Sequence, residues 1–81
     1  MTKEEIKDKV NQFLIEEFEI DPSKIYDEAR LKEDVGIDSL DYVDIVVSVK
    51  DVFGFKVQQG ELQEIQTLSQ FYDYIDAKLN G

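Results

Sequence analysis

The chain has 81 residues, with 9 basic and 19 acidic side chains and a formal charge of −10. It contains no cysteine and no histidine, which excludes disulfides, thiolate nucleophiles, the commonest zinc ligand and the usual base at neutral pH. So negative a surface repels nucleic acid and anionic membranes, yet a hydrophobic content of 42% is too high for a disordered acidic tail.

Length predicts one compact domain over 1–81. The stretch from Met1 to Glu5 is polar and lacks the apolar core of a signal peptide, and no apolar run approaches a membrane span. A cytoplasmic protein without membrane insertion, likewise a monomer, is the expectation. Acidity alone reads most simply as a device for solubility, with attraction of basic partners as the second reading.

Thr2-Lys3-Glu4-Glu5 has the pattern of a capping box, in which Thr2 and Glu5 satisfy each other's amides. Ile6, Val10, Phe13 and Leu14 follow at helical spacing, so a helix is expected from about Lys3 to Glu17. Glu19 to Gly36 has weak periodicity. Asp21-Pro22-Ser23 marks a turn, and Ile20, Ile25, Tyr26 and Leu31 are scattered anchors. The reading is a long pinned loop with one short turn near Ser23 to Tyr26. A loop of this length in a small domain usually has a function.

Asp38 is a candidate N-cap, with Asp41 in the first turn of the following helix. Leu40, Val43, Val46, Val47, Val49 and Phe53 then recur. The valines would suit a strand, but the segment from Ser39 to Phe53 is too long for a typical one, and Gly54 is a natural helix stop. A short, poorly specified helix is expected around Glu61 to Glu64. A last helix is expected from about Leu68 to Leu79 on the stripe Leu68, Phe71, Tyr72, Ile75 and Leu79, ended by Asn80-Gly81. The fold class is therefore all-α: a four-helix bundle with three longer helices, one short helix and a long first loop.

The run Glu33-Asp34-Val35-Gly36-Ile37-Asp38-Ser39-Leu40-Asp41 resembles the attachment motif of acyl carrier proteins, in which Asp-Ser-Leu follows a glycine two residues before the aspartate. Leu31, Val46, Phe53, Val57, Ile65, Thr67 and Leu68 also stand where that family has similar residues, so the resemblance covers nearly the whole chain. It implies a carrier, not an enzyme, with 4′-phosphopantetheine attached covalently to Ser39 by a phosphopantetheinyl transferase. The arm's thiol would carry acyl groups as thioesters, in fatty acid or polyketide-like biosynthesis. Acyl-transferring and ketosynthase enzymes with basic docking patches are the implied partners.

The residues themselves agree with this reading. Ser39 is expected as the first helical residue, its hydroxyl in solvent and near unpaired amides that suit a phosphodiester, while Asp38 and Asp41 oppose that anion by like charge and so favour a mobile arm. It is not a catalytic nucleophile, because no histidine exists to activate it. Asp38, Leu40, Asp41, Asp44 and Asp51 resemble the partner-recognition face of the family; a solvated helix face is the plainer reading. Tyr42 is expected either at the arm's exit or as a surface tyrosine. Val43, Val46, Val47, Phe53, Val57, Ile65 and Leu68 are expected to line a core that can take an acyl chain, and simple packing explains them equally.

Gln58 stands where many fatty-acid carriers have proline, and Phe71 stands where a small residue is common. A specialised pathway is therefore an open alternative. A peptidyl carrier would share the arm, but Ile37 occupies the place of its usual second glycine. A cofactor-free helical adaptor is a further alternative. A calcium loop is disfavoured, since the Asp34, Gly36, Asp38 alternation lacks the central glycine and late glutamate of an EF-hand.

Overall fold

The computed structural model describes residues 1–80. Four α-helices run in the order α1 (Lys3–Glu17), α2 (Tyr42–Phe53), α3 (Gln59–Glu64) and α4 (Leu68–Asn80). The expected capping box opens α1: the Glu5 amide donates to Thr2 Oγ1 at 3.2 Å, and the Thr2 amide donates to Glu5 Oε1 at 3.1 Å. Ile6, Val10, Phe13 and Leu14 form its buried face. Against them α4 sets Leu68, Phe71, Tyr72 and Ile75, and these side chains belong to one hydrophobic core. The expected stop of α4 falls partly on Gly81, which lies outside the described residues.

The long loop is more structured than its sequence implies. Asp21 caps a 3₁₀ turn over Pro22–Lys24 by accepting from the Ser23 amide at 2.9 Å. A second turn, over Leu31–Val35, has π-helical hydrogen bonding, with the Val35 amide donating to the Arg30 carbonyl at 2.9 Å. Leu31 and Val35 point inward from it while Lys32, Glu33 and Asp34 face solvent. Five residues are too few to show a helical period, which is why the sequence pattern reads as loop. The loop is also tied to the start of α4. Leu31 donates to the Gln66 carbonyl at 2.9 Å, and Leu68 donates to the Ala29 carbonyl at 3.0 Å.

Gly54 ends α2 in the left-handed region at φ 84°, and its amide donates to the Lys50 carbonyl at 2.9 Å. The helix α3 begins two residues before the expected position, at Gln59, and takes Gly60 into its first turn. It is held onto α4 from outside: Tyr74 donates its hydroxyl to Glu61, and Lys78 approaches the same carboxylate at 3.9 Å. Burial, helped by the Glu61 charge, pushes the Tyr74 phenol up to about 12, so it remains a donor at neutral pH.

Candidate functional site

The segment around Ser39 is held from both sides. Upstream, Gly36 closes the second loop turn at φ 89°, a left-handed conformation that glycine adopts without penalty. Ile37 then turns into the core, and its amide donates to the Leu31 carbonyl at 2.7 Å. Downstream, Tyr42 is only 1% exposed. Between these two anchors Asp38, Ser39 and Leu40 all face solvent, with Leu40 82% exposed.

Ser39 is not the first helical residue. It lies in a turn over residues 39–41, and regular helix begins at Tyr42. The cause is the hydrogen bonding of Asp38. The Asp41 amide donates to the Asp38 carbonyl at 3.0 Å, an i to i+3 bond that tightens the chain ahead of the helix. The Asp38 side chain does cap this turn. Its Oδ1 accepts from the Leu40 amide at 2.8 Å and the Asp41 amide at 3.4 Å, while Asp41 Oδ2 accepts from the Asp38 amide at 3.3 Å. This is the reciprocal arrangement of a capping box with aspartate in the reaching position.

The expectation of free amides for a phosphodiester is therefore corrected. The Leu40 and Asp41 amides are already engaged by Asp38, and two carboxylates stand beside the serine. An anion attached there meets no preformed cradle and is repelled by its neighbours. None of the hydrogen bonds that close the turn uses the Ser39 hydroxyl. A solvent-facing primary hydroxyl on a clamped turn fits a covalent arm that must swing, and 4′-phosphopantetheine is such an arm.

The buried face of α2 consists of Tyr42, Ile45, Ser48 and Val49. Val43 and Val47, expected in the core, are each 54% exposed, and Val46 and Phe53 are half-buried. Tyr42 is neither a surface tyrosine nor a free exit post, because its ring is part of the core. The helix is apolar on most sides, so periodicity alone does not choose its inner face. The spacing of Tyr42, Ile45 and Val49 at i, i+3 and i+7 is the signal that identifies it. Ser48 was also missed: its hydroxyl donates to Glu17 and links α2 to α1.

Of the proposed pocket residues, Val57, Ile65 and Leu68 are buried. Val43, Val46, Val47 and Val57 come together along an open groove of about 410 Å³ between α2 and α3, with Lys56 and Gln59 on its walls. Ile65 instead lines a separate cleft with Tyr42. Phe53 and Leu68 line neither. Asp44 and Asp51 are exposed on α2 beside Val47, whereas Asp41 is half-buried by its part in the turn.

Residues 8–75 match the protein-family model described as a phosphopantetheine attachment site. The acyl carrier protein of Thermotoga maritima is 40% identical over 78 residues, covering 96% of each chain. That of Lactobacillus johnsonii is 32% identical over 80 residues, 99% of this chain and 100% of the relative. That of Saccharopolyspora erythraea is 40% identical over 68 residues, 84% of this chain and 72% of the relative. A match of this reach, on a helical bundle that presents a serine at a clamped turn, has one conclusion: the chain belongs to the phosphopantetheine-binding family of acyl carrier proteins.

Proposed function

We propose that Ser39 is the attachment residue and that the chain carries acyl groups from it between biosynthetic enzymes, in fatty acid or polyketide-like synthesis. The family membership makes the chain a carrier rather than a catalyst, and makes covalent 4′-phosphopantetheine its prosthetic group. The observation that carries the assignment to Ser39 is its exposed hydroxyl between two buried anchors, Ile37 and Tyr42. When bound, the group supplies a terminal thiol on which acyl groups form thioesters. The protein's own residues hold the attachment point still and leave everything beyond it free.

The surface around Ser39 suits a basic enzyme. Asp38, Leu40, Asp41, Asp44 and Asp51 surround the serine or continue along α2, and Leu40 supplies an apolar contact at their head. Such charge pairs raise association rates more than final affinity, which suits a carrier that must leave each partner quickly. The groove of Val43, Val46, Val47 and Val57 is the place for an apolar acyl chain. Phe53, Ile65 and Leu68 stand outside that groove, Ile65 and Leu68 within the core and Phe53 half-buried against it, so they support its walls rather than line it. The working unit is the single domain 1–81, a monomer acting in the cytoplasm. No described helix is long and apolar enough to cross a membrane.

The test is incubation with coenzyme A and a broad-range phosphopantetheinyl transferase, followed by intact-mass measurement. The wild-type chain should gain one group of roughly 340 Da, and Ser39→Ala should gain nothing. A mass gain on the alanine variant would overturn the assignment.

A further inference from the structure

A second cleft, also about 410 Å³, opens beside the attachment turn and has a different chemistry from the valine groove. Tyr42 and Ile65 are its buried lining residues, and Arg30, Lys32, Glu33, Gln63 and Gln66 surround them. Tyr42 follows directly on the turn that holds the serine, and its amide donates to the Ser39 carbonyl at 3.4 Å. The cleft thus begins within about one helical turn, or roughly 5 Å of rise, of the attachment point.

Its charge runs against the rest of the protein. Arg30 pairs with Glu33 at 2.7 Å, which leaves the Lys32 ammonium as the uncompensated charge of the lining. The charged side chains that line the cleft, Arg30, Lys32 and Glu33, thus carry one net positive charge in a chain of net charge −10, with Asp34 and Asp38 as the nearby acids. The Gln63 and Gln66 side chains add amide donors. Tyr42 adds a phenol that burial, with the charge of Asp38, holds above its ordinary range and so keeps protonated.

We infer that this cleft is a binding site for cargo that ends in a carboxylate: a short acyl group, tethered through Ser39, whose free carboxylate meets Lys32, Arg30 and the glutamine amides over the ring of Tyr42. This rests on attachment at Ser39. An exposed ion pair is weak by itself, but a tether holds the ligand at an effective concentration on the order of millimolar, so a weak site is occupied. The buried ring of Tyr42 fills the inner side of the cleft, so a long apolar chain gains nothing by going there and belongs in the valine groove.

The experiment loads the full chain with the transferase from coenzyme A, butyryl-coenzyme A and succinyl-coenzyme A. The two acyl groups have the same carbon count and differ by the carboxylate. Mass spectrometry checks loading, and backbone amide NMR reads the site. Succinyl cargo should shift the Lys32, Gln63 and Gln66 amides relative to the holo form, and butyryl cargo should not. Lys32→Ala, at an exposed position, should remove the succinyl shifts while loading remains complete, and added salt should reduce them in the wild-type chain. Equal shifts from both cargoes, or succinyl shifts that survive Lys32→Ala, would overturn the cleft assignment while leaving the carrier reading intact. A chain that gains no mass at all would overturn both.

Discussion

The helix pair α1 and α4 and the helix pair α2 and α3 use apolar residues in opposite ways. Along α1 and α4 the large apolar side chains face each other and are buried, and polar ties fasten the helices along their length. Tyr72 donates to Asn11 Oδ1 at 2.5 Å, Lys3 meets Asp73 at 2.5 Å, and Asn80 Nδ2 donates to the Met1 carbonyl at 2.8 Å. On the other side α2 leaves Val43 and Val47 in water, and among the described residues no salt bridge involves it. Exposed valines and unpaired acids contribute little to stability. They leave a surface that a partner or an acyl chain can cover without first breaking internal contacts. One half of the molecule is a base, and the other is the half that the proposed function puts to work.

The largest expected effect tests that division on stability. Phe71→Ala removes a buried ring from the α1–α4 core and should cost about 3–5 kcal/mol. For a small domain stable by roughly 5–15 kcal/mol, that brings the chain close to unfolding. Val47→Ala should change stability by no more than about 0.5 kcal/mol, because the side chain is already half in water. Urea denaturation compares the two, and similar losses would break the division.

The seam between the halves should lie between these limits. Ser48 is buried on α2 and donates to Glu17 at the end of α1. Ser48→Ala should lose about 1 kcal/mol, with its loading by the transferase unchanged. An effect as large as that of Phe71→Ala would mean that α2 is fastened as firmly as the base.

On the working half the expected effect is on rate. Asp44 and Asp51 are exposed and take part in no hydrogen bond of the Ser39 turn. The double variant Asp44→Lys with Asp51→Lys should slow loading several-fold at low salt while circular dichroism stays native. Asp41 is unsuitable for this comparison, because its carboxylate holds the Asp38 amide and replacing it would disturb the serine itself. A folded double variant that loads at the wild-type rate would show that these acids serve only to solvate the helix.

The same contrast explains what was legible in the sequence. The base was readable: Thr2 and Glu5 cap α1, the stripe from Ile6 to Leu14 is buried, and so is the stripe from Leu68 to Ile75. Each of those helices has a clear polar face, so period and side agree. By contrast, α2 has apolar residues on both its buried and its exposed face, so there period and side do not agree. Helix α2 was recognised by its length, yet Val43 and Val47 were placed inside and Tyr42 outside. The start of α2 was misplaced for a related reason. Asp38 has the composition of a helix cap, and only its i to i+3 bond to Asp41 shows that the serine stands ahead of the helix. The cleft over Tyr42 was not legible, since it joins Arg30 and Lys32 to Gln63 and Gln66 across more than thirty positions of chain.

The smallest expected effect lies at the far end of the base, in the capping box of α1. Glu5 accepts from the amide and hydroxyl of Thr2, and these bonds, the backbone one first, hold its carboxyl below the ordinary value of 4.5. A carboxylate lowered in the folded state binds its proton more weakly there than in the unfolded chain. Its contribution is therefore present above 4.5 and is lost as pH falls through the lower folded value. Glu5→Gln keeps an acceptor for the Thr2 amide but removes the charge. The melting temperature of the wild-type chain should exceed that of Glu5→Gln slightly at neutral pH, and the difference should shrink through the acid range below 4.5. Taking the difference cancels the other carboxylates, including Asp21, which is lowered by its own bond to Ser23. Loading at Ser39 should not respond to the substitution, because the box is built by residues of the base alone. A gap that stays constant with pH would remove the charge of Glu5 from the account of the cap, and a change in loading would show that the two halves are coupled.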